Sequence, residues 1–85
     1  MNITSVNQEE VYGQNVDNFY FDNDMWVGIT ATEGLWEMQH EDDEESYTSG
    51  HFSTDGVAIM GFSGCDELPK EVRKAFKHQG YKLFV

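Results

Sequence analysis

The sequence predicts an α+β fold, in which an antiparallel sheet of four to five strands, arranged as a meander, has one C-terminal amphipathic helix packed on one face. Three observations predict this fold. Short runs of aromatic and β-branched residues in the middle of the chain are separated by Asn, Asp and Gly, which is typical of strands and turns. Asp55-Gly56 is a strong hairpin signal, because the favoured two-residue turn needs positive φ at both positions. In residues 66–79 the apolar residues recur at the spacing of a helix instead of that of a strand.

Five segments have the pattern of strands: residues 16–22, 24–32, 35–41, 46–53 and 57–63. In the second segment Met25, Val27 and Ile29 occupy alternate positions, which is the period of a strand that buries one face. Glu33-Gly34 then supplies a tight turn. The side chains expected in the core are Val27, Ile29, Trp36, Met38, Val57, Ile59, Val72 and Phe76.

The helix is predicted over residues 66–79, where Val72 and Phe76 recur at helical spacing and basic residues occupy the other faces. Asp66 is placed to accept the unpaired N–H groups at the helix start. Gly80 permits a left-handed cap at the helix end, where the basic residues suit the helix dipole.

The two ends of the chain have shorter patterns. Residues 81–85 fit either a last strand beside the sheet or a segment that covers its edge. Ser5 and Gln8 stand at the spacing of a capping box, and Gly13 can close the segment after them. Residues 5–12 are therefore expected to form one helical turn.

Length and composition indicate a single small domain over residues 1–85. The chain is 39% hydrophobic and 14% aromatic, which is too rich in apolar residues for a disordered polypeptide. Its one Cys allows no intramolecular disulfide, and no apolar run approaches the length of a membrane span. The N-terminus does not have the pattern of a signal peptide, so we expect a cytoplasmic protein.

The distribution of charge is the strongest functional signal. The chain has 16 acidic and 5 basic residues, which gives a formal net charge of −11, so at least eleven acids stay unpaired. Every base lies after residue 69, and these bases are Lys70, Arg73, Lys74, Lys77 and Lys82. Like charges repel, which argues against direct binding to nucleic acid or to an anionic membrane. The expected partner is therefore a basic protein.

Catalytic and metal-binding motifs are not recognised in the sequence. Cys65 precedes the predicted helix and one of three histidines could serve as its base, but their spacing matches no nucleophile signature. A zinc site needs about four Cys or His ligands, and residues 22–27 lack the Gly and the distal Glu of a calcium-binding EF-hand loop. We expect a protein that is not an enzyme and that uses no cofactor and no metal.

An anionic surface with aromatic anchors is the predicted binding site. Carboxylates on one face of a sheet stand about 6.8 Å apart along a strand and about 4.8 Å apart between strands, which approaches the charge density of a nucleic-acid backbone. The acids expected to supply this surface are Asp22, Asp24, Glu37, Glu41, Asp42, Asp43, Glu44 and Glu45. Aromatic residues anchor many interfaces, and those expected to be exposed here are Tyr20, Trp26 and Tyr47.

In size, acidity and aromatic content the chain is similar to small inhibitors that phages and mobile elements direct against host nucleic-acid machinery. These inhibitors include DNA mimics, anti-CRISPR proteins and anti-restriction proteins. The resemblance implies stoichiometric blocking of a basic surface on a nucleic-acid-binding protein, without catalysis. It implies no fold, because such inhibitors have many unrelated folds, and no motif is matched that would transfer residue roles.

The separation of charge also allows a second function. The basic helix of one copy would meet the acidic sheet of another, which makes the protein a self-associating accessory or structural module. Such a module would form homo-oligomers that dissociate as salt screens the contact.

Overall fold

The computed structural model describes residues 1–63 and 68–83, which contain seven strands and one helix. In chain order these are β1 (Ile3–Val11), β2 (Gln14–Phe21), β3 (Met25–Thr30), β4 (Leu35–His40), β5 (Asp43–Thr54), β6 (Ala58–Ser63), α1 (Lys70–His78) and β7 (Lys82–Leu83). The strands form one sheet in which neighbours in space are neighbours in sequence. β1 to β6 are antiparallel, whereas β7 lies parallel to β6.

The predicted fold, a four- to five-stranded antiparallel meander with one amphipathic helix packed on one face, is wrong in the number and direction of its strands and in the length of its helix. Within the described residues the sheet has seven strands of mixed direction and curls into a half-barrel, and the one helix is short. The five predicted strands correspond to β2–β6, and β1 is additional. β7 lies within residues 81–85, where a last strand beside the sheet was one of the two predicted alternatives. α1 has nine residues, and among the described residues of the predicted helix 68, 69 and 79 lie outside it. The fold is therefore mostly sheet.

β1 occupies the segment for which a helical turn was predicted. It pairs with β2 from Ile3 opposite Phe21 to Val11 opposite Gln14, so the hairpin loop contains only Tyr12 and Gly13. These two residues have φ values of 51° and 79°, the left-handed pair that a tight hairpin turn requires. Local hydrogen bonding to β2 thus overrides the capping-box spacing.

The core lies between α1 and the face of the sheet that α1 covers, which we call the inner face. Its fully buried side chains are Phe19, Val27, Ile29, Trp36, Ile59, Val72, Ala75 and Phe76. The rings of Phe52 and Phe76 meet edge to face with their centroids 4.8 Å apart. Met38 is partly buried against this cluster. The core therefore joins side chains from β2 to β6 and from α1.

Val57 was predicted to be a core residue, and this is wrong, because 64% of its surface is exposed. β5 ends at Thr54 and β6 begins at Ala58, so Val57 lies in the loop rather than in a strand. Gly56 has a φ of 97° as a turn glycine should, and the Asp55 carboxylate accepts the N–H groups of Val57 and Ala58. The loop is one residue longer than the predicted two-residue turn.

The end of α1 has the predicted glycine cap. Gly80 has a φ of 93°, its N–H donates to the carbonyl of Lys77, and the N–H of Tyr81 donates to the carbonyl of Phe76. This pair of bonds is the Schellman arrangement. At the helix start the N-cap position is Pro69, and Asp66, the predicted cap, lies outside the described residues.

The outer face of the sheet is the one that points away from α1. Alternation along each strand places Tyr20, Trp26 and Gln39 on this face. Tyr20 is paired with Trp26, and Trp26 with Gln39, so the three side chains form a row across β2, β3 and β4. This row lies next to the turns that carry most of the predicted acidic site.

Candidate functional site

Two acidic turns meet at one edge of the sheet. In a meander alternate turns lie at the same edge, so the β2–β3 turn and the β4–β5 turn are neighbours. The N–H of Glu41 donates to the carbonyl oxygen of Asp24 at 2.9 Å, which joins the two turns directly. We call the exposed acids of these turns and of the first position of β5 the acidic edge, which consists of Asp22, Asp24, Glu41, Asp42 and Asp43.

Local hydrogen bonds fix the shape of the β2–β3 turn. Asp24 has a φ of 63°, a conformation that Asp tolerates better than most residues. Its N–H donates to the carbonyl of Phe21, and the side chain of Asn23 accepts the N–H of Met25. The Asp22 carboxylate accepts the N–H of Asn2 at 2.9 Å. The acids of this turn are therefore held on ordered backbone.

The β4–β5 turn is held in the same way. The hydroxyl of Ser46 accepts the N–H of His40 and donates to the carbonyl of Asp43, each at 2.7 Å. The N–H of Asp42 donates to Nδ1 of His40, and the Asp43 carboxylate accepts the N–H of Glu45. The carboxylates of Asp22 and Asp43 thus also stabilise the turns by accepting backbone hydrogen bonds. The better positions for substitution are therefore Asp24, Glu41 and Asp42.

The remaining predicted acids lie in β4 and β5 outside the acidic edge as defined, and Glu44 directly follows Asp43. Glu44 and Glu45 are exposed in β5, where the register between β4 and β5 shifts. Glu37 lies in β4, four residues before Glu41. The two residues are therefore about 13 Å apart in the direction of the strand. The Glu37 carboxylate accepts a hydrogen bond of 2.6 Å from the hydroxyl of Tyr47. The structure therefore gathers five of the eight predicted acids into one cluster.

The hydrogen bond between Tyr47 and Glu37 raises the pKa of the Tyr47 hydroxyl, with smaller contributions from burial and from repulsion by the Glu37 charge. Replacing Glu37 with glutamine removes that charge, so we expect the pKa of Tyr47 to fall toward its ordinary value near 10. In the native protein the hydrogen bond between Tyr47 and Glu37 stabilises the fold fully at pH values below the ordinary pKa of tyrosine. This stabilisation is lost as the pH rises through the raised pKa of Tyr47.

Alkaline titration of the tyrosine absorbance checks this expectation, and the variant Tyr47→Phe identifies the contribution of Tyr47 to the curve. Glu10→Gln removes an equal charge from exposed β1 and serves as the control. An identical titration of Tyr47 in the native protein and in Glu37→Gln would show that this hydrogen bond does not form.

Trp26, one of the three predicted aromatic anchors, is held flat on the outer face. Its indole N–H donates to the side-chain oxygen of Asn18 at 2.9 Å, and the Asn18 amide donates to Asn7 at 3.1 Å. Asn18 is only 2% exposed. The ring lies over Gly28, where an added Cβ would stand 2.7 Å from the ring atom Cζ2 of Trp26. Sequence reasoning did not identify this support.

The three aromatic anchors differ in exposure. Tyr47 is 47% exposed, whereas Tyr20 and Trp26 are half-buried. Tyr20 and Trp26 line a shallow cavity together with Glu9, Gln39, His40 and Glu41. The cavity adjoins the acidic edge through Glu41, which belongs to both. Only the strand register reveals it, because its side chains come from β1 to β4 and the turn after β4.

The bases of α1 form a separate surface. Lys70, Arg73, Lys74 and Lys77 line a second cavity beside Met1. The ammonium group of Lys74 donates to the carbonyl of Met1 at 2.7 Å, and the Arg73 guanidinium donates to the carbonyl of Leu68. Lys74 also donates to the side-chain oxygen of Asn2 at 3.4 Å, so these contacts use neutral oxygen atoms.

Other chemical features of the described residues are few. Residues 1–63 and 68–83 contain no group of three His, Cys, Asp or Glu side chains arranged to hold a metal ion. No helix in the same ranges is long and apolar enough to cross a membrane. Cys65, considered above as a nucleophile, lies outside the described residues. No protein-family model, curated protein or solved structure significantly matches the chain.

Proposed function

We propose that the protein is a non-enzymatic inhibitor whose acidic edge occupies the basic surface of a nucleic-acid-binding protein and so excludes the nucleic acid. The observation that supports this proposal most directly is the hydrogen bond between Glu41 and Asp24, which places two acidic turns side by side. Competition for a nucleic-acid groove is the action of the phage and mobile-element inhibitors that the composition resembles, anti-CRISPR and anti-restriction proteins among them.

The spacing of the two turns suits this competition. Their centres are separated by about two strand spacings, close to 10 Å, which is similar to the Debye length of about 8 Å at physiological ionic strength. A basic surface in contact with one turn therefore also interacts with the other. The summed field speeds association with a basic partner and opposes association with nucleic acid.

A displacement experiment tests the proposal. Proteins in a lysate of the organism in which the chain occurs are bound to a double-stranded DNA resin, and the purified protein is added in increasing amounts. We expect it to release a specific DNA-binding protein at near-stoichiometric amounts. The variant Asp24→Asn/Asp42→Asn should require about tenfold more protein, because the two lost contacts together contribute about 1.4 kcal/mol.

The matched control removes the same charge elsewhere. Glu10→Gln/Glu33→Gln changes two exposed acids outside the acidic edge, and this variant should release the same protein as efficiently as the native chain. Asn at position 24 keeps the left-handed conformation, and neither changed position in the acidic edge lines the cavity beside Trp26. If no DNA-bound protein is released, or if both double variants behave alike, the proposed function is wrong.

Self-association is a second candidate, which the separate basic surface of α1 favours. Lys70, Arg73 and Lys77 of one copy would contact the acidic edge of another, in a head-to-tail arrangement. Sedimentation of the protein alone over a salt series separates the candidates. A head-to-tail assembly dissociates as salt rises, whereas an inhibitor that is monomeric without its partner does not change.

A further inference from the structure

The cavity beside Trp26 has the dimensions of a site for one side chain. Its volume is about 270 Å³, and it is lined by Glu9, Tyr20, Trp26, Gln39, His40 and Glu41. Sites for drug-sized ligands and cofactors have volumes of about 300–1,000 Å³. This cavity stands at the lower end of that range, a size that accommodates a single protruding side chain.

The aromatic wall of the cavity is preorganised. The bond from the Trp26 indole to Asn18, and the bond from Asn18 to Asn7, fix the ring in its plane. Gly28 lacks the Cβ that would displace the ring, and Tyr20 stands opposite Trp26 in the register of β2 and β3. A ring held in this way loses little conformational entropy when a ligand packs on it.

The ionised groups in the lining are all negative. Glu9 contributes one carboxylate from β1 and Glu41 a second from the β4–β5 turn. Nδ1 of His40 accepts the N–H of Asp42 at 3.1 Å and is therefore engaged within the turn. Two aromatic rings with two carboxylates form an environment that attracts a cation, through the ring quadrupoles and through direct charge pairing.

Among protein cations, arginine suits this environment best. Its planar guanidinium stacks on aromatic faces and presents five N–H donors, which can engage carboxylates and the Gln39 amide oxygen at once. The lysine ammonium is a strongly hydrated point charge that gains less from a flat ring. The formal net charge of −11 and the adjoining acidic edge also bring a basic surface to this position.

We propose that the cavity beside Trp26 binds an arginine side chain of the partner protein and so anchors the contact that the acidic edge steers. This inference rests on the proposed function, since a basic protein must supply the arginine. The acidic edge then accelerates association, whereas the arginine in its cavity slows dissociation.

Nuclear magnetic resonance of the whole protein tests the proposal without the partner. The chain has two Trp residues, so a nitrogen–proton correlation spectrum shows two indole signals, those of Trp26 and Trp36. Trp36 is fully buried and its indole nitrogen has no hydrogen-bond partner among the described residues, which makes it an internal reference. The probes are end-blocked Gly-Arg-Gly, Gly-Lys-Gly and Gly-citrulline-Gly peptides, of which the citrulline peptide is the uncharged isostere.

We expect the arginine peptide to cause a saturable shift of the Trp26 signal while the Trp36 signal stays in place. The lysine peptide should bind several-fold more weakly, and the citrulline peptide should cause no saturable shift. Glu9→Gln/Glu41→Gln should weaken binding of the arginine peptide by about tenfold, whereas Glu10→Gln/Glu33→Gln should bind it like the native protein. Tyr20→Leu, which keeps every charge, should weaken it several-fold, and an unmoved Trp36 signal would show that this variant is folded.

Three outcomes would overturn the proposal: no saturable shift at Trp26, equal binding of the arginine and citrulline peptides, or unchanged binding by Glu9→Gln/Glu41→Gln. The displacement experiment remains separate, because its variant changes only Asp24 and Asp42. Loss of peptide binding with intact displacement rejects the arginine site alone. Failure of displacement in the presence of peptide binding rejects the inhibitor function while the cation site stands.

Discussion

Phe76→Ala is expected to lower the free energy of unfolding by about 3–5 kcal/mol, the usual cost of deleting a buried aromatic ring. Phe76 is 0% exposed and meets Phe52 and Tyr81 edge to face, with ring centroids 4.8 Å and 5.8 Å apart. Small domains have total stabilities of about 5–15 kcal/mol, so this loss takes a large part of the whole. Urea denaturation followed by circular dichroism measures the loss as a lower transition midpoint.

Lys77→Ala supplies the control for Phe76→Ala. Lys77 is the next residue of α1 and is exposed, so its replacement should change the free energy of unfolding by less than about 0.5 kcal/mol. A similar small loss for Phe76→Ala would contradict the position of α1 against the inner face of the sheet.

Gly34→Ala is expected to lower the free energy of unfolding by about 2–5 kcal/mol, through two separate effects. Gly34 has a φ of 63°, a conformation that costs a residue with a Cβ about 1–2 kcal/mol. An added Cβ would also collide with the carbonyl oxygen of Phe52, and relief of such a contact typically costs about 1–3 kcal/mol. The contact is with backbone, and the N–H of Phe52 donates to Gly34 at 2.8 Å, so neither strand can move away freely.

Gly13→Ala isolates the steric part of that loss. Gly13 also has a positive φ, of 79°, but an added Cβ there would meet nothing within 4 Å. We therefore expect Gly13→Ala to show only the conformational cost. Its urea unfolding midpoint should be clearly higher than that of Gly34→Ala. Equal midpoints for the two variants would contradict the close approach of the β3–β4 turn to β5.

The sequence predicts those elements whose own residues bury one face. Val27, Ile29 and Trp36 show the two-residue period because the inner face of the sheet is buried, and the segments around them are strands β3 and β4. β1 shows no such period because Ile3 is its only residue that is not exposed. Its strand conformation depends on hydrogen bonds to β2, which no local pattern reveals. β7 is too short, at two residues, to have a period.

The candidate site was likewise predictable from the sequence only in part. The acidic residues could be identified from composition, and the rule that alternate turns of a meander share an edge would have placed Asp24 beside Glu41. The cavity beside Trp26 could not be predicted, because it needs the register that brings Asn18 under the indole ring and places Glu9 nearby. Glu9 in particular belongs to β1, the strand that the sequence did not predict.

The exposed strand β1 links ligand binding in the cavity beside Trp26 to the separation of β1 from β2. Separating β1 from β2 breaks hydrogen bonds and exposes apolar surface of Ile3 and Val6, but β1 contributes no fully buried side chain, so this opening costs less than exposing the core. The same strand supplies Glu9 to the cavity and Asn7 to the support of Trp26. A ligand that contacts Glu9 in the cavity therefore binds the closed form more tightly, and we expect it to slow amide exchange along β1 as its occupancy rises. Amide exchange along an exposed strand at the side of the sheet thus becomes the reporter of a bound partner.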